Sequence, residues 1–270
     1  MKKGCNKKIL IGIVAAGIFF SVLFFILKKV NNKNEEPENR FSKGVLAINT
    51  NKSYYKVNEK VEIGMASLDY KGDTLCKSNL KMIIKNPDGK EEIVSTSDDG
   101  IFNSSTCDEN NNVTNNPDYL ATFYPTKEGE YILKLINEDN GNEKETKFEV
   151  KSNIQYDIER SGATRINPFK ADRYPMIIKV TSDEDFKGQL VENIPVSFDI
   201  VWQGNSTINE NDNYKTITWD LDLKAGESKE FIYEYQPPKT SPEFYTLGAV
   251  KIIQENKKIF EEVFLFIIYQ

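Results

Sequence analysis

From residue 44 onward the chain is written in short runs that alternate apolar and polar positions. Val61, Ile63 and Met65 alternate with Glu62 and Gly64; Leu80, Met82 and Ile84 with Lys81, Ile83 and Lys85; Tyr131, Leu133 and Leu135 with Ile132 and Lys134. Successive side chains of a β-strand point to opposite faces, so a period of two marks a strand with one face in a core. The second half continues the pattern. Val196, Phe198, Ile200 and Trp202 alternate with Ser197 and Asp199; Ile217, Trp219, Leu221 and Leu223 with Thr218, Asp220 and Asp222; Phe231, Tyr233 and Tyr235 with Ile232 and Glu234. Turn chemistry separates the runs at "NPDG", Asn86 to Gly89, and at "EDNGN", Glu138 to Asn142. No segment of this region sustains a helical period. One apolar face per strand predicts two-sheet antiparallel sandwiches or a barrel. About 110 residues lie on either side of Lys151 to Asn153, which suits two domains of the seven-strand class, 44–151 and 153–270.

The N-terminus breaks the pattern. Residues 9–27, "ILIGIVAAGIFFSVLFFIL", form an uncharged apolar run of 19, about enough to cross roughly 30 Å of hydrocarbon as a helix. "MKKGCNKK" precedes it and "KK" follows. The run exceeds the usual signal-peptide core of about 7 to 15 residues, and no small-x-small cleavage site follows it. Ala15 and Ala16 lie too early. The expected element is an uncleaved signal anchor: 1–8 cytoplasmic, 9–27 transmembrane, and 28–43 a polar stalk whose Pro37 breaks any helix. The bulk of the chain is then extracellular, on a single-pass protein of the cell membrane.

Composition narrows the chemistry. The chain has no histidine, so its own residues supply no Ser-His-Asp or Cys-His site, no His-ligated zinc and no histidine proton shuttle. Its cysteines are Cys5, Cys76 and Cys107, without the CxxC pairs of zinc or thioredoxin-like sites. Cys5 falls on the cytoplasmic side, where a reduced thiol is expected. Cys76 and Cys107 fall outside, where a structural disulfide between them is expected. The first 33 residues hold seven lysines and no acids, leaving 28 basic against 41 acidic residues in the remainder. Such an acidic exterior argues against nucleic acid and anionic lipid as partners. Four Asn-x-Ser/Thr sequons begin at Asn51, Asn103, Asn112 and Asn205, and in so Asn-rich a chain they carry little weight.

The wording of the two halves adds a resemblance. "YKVNEKVEIGMASLDYKGDTLCKSNLKMIIKNPDGKE" and "SSTCDENNNVTNNPDYLATFYPTKEGEYILKL" in the first half resemble the Ig-like, macroglobulin-type modules of bacterial surface proteins. Cysteines before the central strand and before the "PDY" segment belong to that pattern too. "YDIERSGATRINP", "EDFKGQLVENIPVSFDI", "KTITWDLDLKAGESKEFIYEY" and "SPEFYTLGAVKI" are similar to the Ig-like repeat domains of unknown function that follow such modules. The resemblance spans roughly residues 44 to 260 and implies a fold and a location, since fold alone does not carry function. It departs at the end, where "FEEVFLFIIYQ" holds six consecutive apolar residues, Val263 to Ile268. These are expected to form the last strand of the second sandwich, with one face in its core and the other half of the apolar residues covered by the first domain or another protein.

Each conspicuous group has two readings. Trp202 and Trp219 could stack on sugar, but both stand on the apolar phase of their strands, so core packing is expected. Asp98, Asp99, Asp108, Glu109 and Asp118 in the loop Thr96 to Asp118 could offer oxygens to calcium, but they lack DxDxDG spacing, and a solvated loop is expected. Ser182 to Asp185 reads as a turn. No acidic pair is singled out for glycosidase chemistry. The expected protein is a non-catalytic, structural or adhesive surface module without cofactor or metal, facing a protein or glycan partner. The alternative is a calcium-dependent or carbohydrate-binding receptor.

Overall fold

A computed structural model describes residues 41–109, 116–170, 173–262 and the backbone of 266–269. The expected cytoplasmic segment, the membrane span and nearly all of the stalk lie outside the described residues, as do Cys5 and the Asn112 sequon. Among the described residues the chain is all-β, and no helix is long and apolar enough to cross a membrane.

The first half contributes β1 (Val45–Thr50), β2 (Tyr54–Tyr55), β3 (Val61–Leu68), β4 (Leu80–Lys85), β5 (Glu91–Ser95), β6 (Phe102–Asn103), β7 (Tyr119–Phe123), β8 (Gly129–Asn137) and β9 (Asn142–Val150). The sheet β1-β3-β7-β6 faces the sheet β2-β9-β8-β4-β5 across one core. Alternation fills that core: Val61, Ile63 and Met65 of β3, Leu80, Met82 and Ile84 of β4, and Tyr131, Leu133 and Leu135 of β8 are all buried. Tyr131 stacks on Phe148 at 5.0 Å between ring centroids. Each such side chain contributes about 1.5 to 3 kcal/mol by leaving water. The "NPDG" turn joins β4 to β5 because Asn86 Oδ1 accepts from the Asp88 and Lys90 N–H groups and Gly89 supplies φ +81°.

The second half contributes β10 (Tyr156–Gly162), β11 (Tyr174–Ser182), β12 (Phe186–Pro195), β13 (Asp199–Trp202), β14 (Thr207–Glu210), β15 (Tyr214–Leu223), β16 (Ser228–Gln236), β17 (Phe244–Leu247), β18 (Lys251–Gln254), β19 (Lys257–Glu261) and β20 (Phe266–Tyr269). Sheets β10-β11-β16-β13 and β14-β15-β12-β18-β19 enclose a second core around Met176, Ile178, Leu190, Ile217, Trp219, Leu221 and Tyr233. β20 pairs with β17 in a small sheet of its own, and its backbone lies beside β1 of the first sandwich. Lys43–Gln270 forms one compact unit.

The expected strand from Val196 to Trp202 is where the structure departs from the period-two reading. β12 ends at Pro195, Val196 to Phe198 turn, and β13 begins only at Asp199. Its pairing with β16 then slips: Ile200 faces Tyr235, but Trp202 faces Glu234, the next residue along. The extra residue of this bulge resets the alternation. Trp202 is 48% exposed, whereas Trp219 is 3% exposed in the core. Core packing therefore holds for Trp219 and is corrected for Trp202.

Candidate functional site

Two places concentrate polar chemistry: the junction between the sandwiches and the open edge of the second. At the junction, Lys52 follows β1 and reaches Glu59 of its own sandwich and Asp157 on β10, both at 2.7 Å. Burial opposes its charge, but the hydrogen bonds it donates to Asp157 and Glu59 prevail and hold its pKa above the ordinary lysine value. Beside it the Arg160 N–H donates to the Asn51 carbonyl at 2.9 Å and the Asn51 amide to Glu159 at 3.2 Å. Tyr54 donates to the Glu261 carbonyl at 3.1 Å and packs edge-on against Phe260 at 5.4 Å. Arg165 donates to Asp118 from Nε at 2.9 Å and Nη2 at 3.2 Å, both side chains nearly excluded from water. A cleft of about 470 Å³ runs along this seam, with Asn51, Glu62, Ser104, Thr106 and Thr164 among its walls.

Behind the junction, Arg160 is fully buried between two glutamates, Glu192 on β12 and Glu262 after β19. Arg160 Nη1 also donates to the Leu247 carbonyl at 3.1 Å, and Glu262 accepts the Val250 N–H at 2.9 Å. Burial raises the Glu192 carboxyl, and it pushes Glu262 up to about 7 against the pull of Arg160 and the Val250 N–H. Two carboxylates around one guanidinium carry an excess negative charge in a site without water-like screening. The buried Tyr233 hydroxyl interacts with Glu192, whereas Glu262 Oε1 has no hydrogen-bond partner among the described residues, which fits a proton held at Glu262.

These residues escaped the sequence reading, though a signal was present. Arg160 shares the apolar phase of β10 with Tyr156 and Ile158, and Glu192 shares that of β12 with Leu190 and Ile194. Opposite charges on the core phases of two strands are the mark of a buried pair.

At the open edge, β13 pairs only with Glu234 to Gln236 of β16, so Ser228 to Phe231 extend past it. The opening is a slot of about 400 Å³, with the half-exposed Trp202 on its wall, the buried Trp219 and Phe231 at its floor, and Asn205, Asp220, Lys229 and Glu230 around it. Trp219 and Phe231 are 5.8 Å apart between centroids.

The other predicted residues disperse. Cys76 and Cys107 form a disulfide, Cα to Cα 5.8 Å, with a sequence separation of 31. The bridge holds the acidic loop near the Tyr119 hydroxyl, which donates to Leu75 at 2.5 Å and accepts from the Ser78 N–H at 2.9 Å. Asp98 accepts from the Ser95 and Gly100 N–H groups, which lower its pKa and commit it to a turn. Glu109 pairs with Lys77 at 3.4 Å, and Asp118 is held by Arg165. Asp99 and Asp108 join no acidic cluster: among the described residues no group of three or more His, Cys, Asp or Glu could hold a metal ion. Asp185 closes a turn by pairing with Lys224 at 2.8 Å and accepting the Ala225 N–H at 3.0 Å.

No family model matches the chain, and no curated protein matches it significantly. Among solved structures it is similar to trypsin-activated alpha-2-macroglobulin from Escherichia coli, with 14% identity over 80% of this chain and 15% of that chain and a TM-score of 0.33. A point mutant of Salmonella alpha-2-macroglobulin gives 14% identity over 85% and 15% and a TM-score of 0.31. The collagen adhesin of S. aureus gives 10% identity over 85% and 94% and a TM-score of 0.27. The chain thus spans 15% of the length of the two macroglobulins. At TM-scores this low the likeness carries no argument, and the fold rests on the sheets and cores described above.

Proposed function

We propose that the chain is a single-pass, membrane-anchored protein of the cell surface that works by non-catalytic contact, presenting two Ig-like sandwiches, 44–151 and 153–270, as one rigid piece to a protein or glycan partner. The observation that carries this reading is the junction. Asp118–Arg165, Lys52–Asp157 and Tyr54–Glu261 tie the two halves by buried or half-buried polar contacts, which suits display at a fixed distance rather than a hinged catalytic cleft. The uncharged run 9–27 supplies the anchor and the acidic exterior disfavours nucleic acid.

Protease shaving of intact cells that produce the full chain with a C-terminal tag tests it. The tag should be lost on shaving and, in unshaved cells, stay in the membrane fraction through an alkaline wash; deletion of 9–27 should release it. A protected tag would overturn the topology. Hydrolysis of a glycan or peptide, abolished by changing one acidic pair, would overturn the non-catalytic part. The carbohydrate-binding alternative gains from one observation, the exposure of Trp202.

A further inference from the structure

The open edge of the second sandwich carries chemistry that a plain spacer does not need. The bulge in β13 turns Trp202 outward, and the following turn props it up. Gly204, at φ +59°, sits under the ring: a Cβ there would lie 3.4 Å from Trp202 Cη2. Ser206 Oγ donates to the Gln203 carbonyl at 2.9 Å and closes that turn. The indole is therefore pre-positioned, which lowers the entropy lost on binding. Trp219 and Phe231, both buried in the core, form the floor behind it.

We infer that this slot binds a neutral glycan of hexopyranose units. The inference rests on the reading of the chain as a contact protein of the cell surface. A pyranose has an apolar face of C–H groups and an edge of hydroxyls that both donate and accept. The slot offers both complements: the half-exposed ring of Trp202, and hydrogen-bonding groups from Asn205 and from the Ser228 to Phe231 edge of β16 that extends past β13. Its charges are two carboxylates and one ammonium, Lys229, a balance that disfavours anionic polymers. Its volume, about 400 Å³, suits a few sugar rings. The competing occupant, a peptide strand added to β16, meets only the short Ser228 to Phe231 edge, which carries Lys229 and Glu230, the charged residues that guard edges against pairing.

The chain has two tryptophans, and both line the slot, so intrinsic fluorescence reports on it directly. Full-length protein in a detergent without a sugar headgroup is titrated with cellotetraose, tetra-N-acetylchitotetraose, mannotetraose and an extended β-strand peptide, with calorimetry alongside. A saturable emission change with at least one oligosaccharide is expected. Trp202→Ala should weaken it about tenfold and Trp202→Phe only about threefold. Because Trp202 is half exposed, both variants should keep the wild-type melting temperature. No response to any of the three oligosaccharides, equal binding by Trp202→Ala, or saturable binding of the peptide alone overturns the inference. Protease shaving of the Trp202→Ala chain separates the two proposals: it should behave as wild type, and a failure there would count against the surface reading, whatever the titration gives.

Discussion

Asp118, directly before β7 in the first sandwich, accepts two hydrogen bonds from the guanidinium of Arg165 in the second, at 2.9 and 3.2 Å. The side chains are 2% and 7% exposed, so neither charge is left to water. Removing one member of such a pair leaves the other buried and uncompensated, typically at a cost of about 3 to 5 kcal/mol. Asp118→Ala and Arg165→Ala should each lower stability by that order, and the double variant by clearly less than their sum. Urea unfolding of the four proteins measures the coupling; additive losses would mean that the pair does not fasten the junction.

The disulfide should act on the unfolded state. Closing a loop with a sequence separation of 31 restricts the denatured chain, an effect of about 3 to 4 kcal/mol in the chain-entropy view. Replacing Cys76 and Cys107 together by serine should lower the unfolding midpoint accordingly and expose the loop that follows Phe102 to proteases first. An unchanged midpoint in denaturant would remove the bridge from the account of stability.

Tyr54 predicts a dependence of one sandwich on the other. Its hydroxyl donates to the Glu261 carbonyl, its ring meets Phe260, and Lys151 Nζ lies 3.9 Å from its centroid. Deleting residues 260–270 removes the Glu261 and Phe260 contacts and also Glu262, one of the two glutamates around Arg160. The truncation should therefore lower the stability of both sandwiches, not only the second. Hydrogen exchange on β1 and β9 reports this, and protection there equal to that of the full chain would show that the halves stand independently.

The sequence made the core strands legible because burial on one face enforces a period of two. β4, β8 and β15 follow it through their apolar runs, β16 follows it from Phe231, and β3 follows it as far as Met65, beyond which Ala66 to Leu68 are all buried. The reading failed at Trp202, where Pro195 ends β12 early and a bulge shifts the phase by one residue. That change turned an expected core residue into the exposed wall of the slot. The junction was illegible for another reason: Lys52, Asp118 and Arg165 stand in loops whose composition reads as solvated, and only the docking of the two halves buries them. The Arg160 cluster lies between these cases, with its charges visible on apolar phases but their pairing fixed only by the approach of β10 to β12.

Glu262 predicts how stability should vary with pH. Its carboxyl is pushed up to about 7 in the folded protein, from an ordinary 4.5, because burial outweighs the pull of Arg160. The folded state thus holds a proton that the unfolded state releases above its own pKa. The contribution is fully present below about pH 4.5 and is lost as pH rises toward about 7, with a slope of at most about 1.4 kcal/mol per pH unit for one group. Glu192, raised by the same cause, acts in the same direction. Asp98, Asp185 and Glu261, whose pKa values are lowered by hydrogen bonds, oppose it below the usual carboxylate range. Stability should therefore fall between about pH 4.5 and 7. In Glu262→Gln the amide oxygen still accepts the Val250 N–H while the excess charge is gone, and Arg160 keeps Glu192 as its counter-ion. That variant should lose most of the pH slope while remaining folded. Melting curves of both proteins across this range decide it: an equal slope in the two would mean that Glu262 is ionised throughout and that another raised group, Glu192 first, holds the proton.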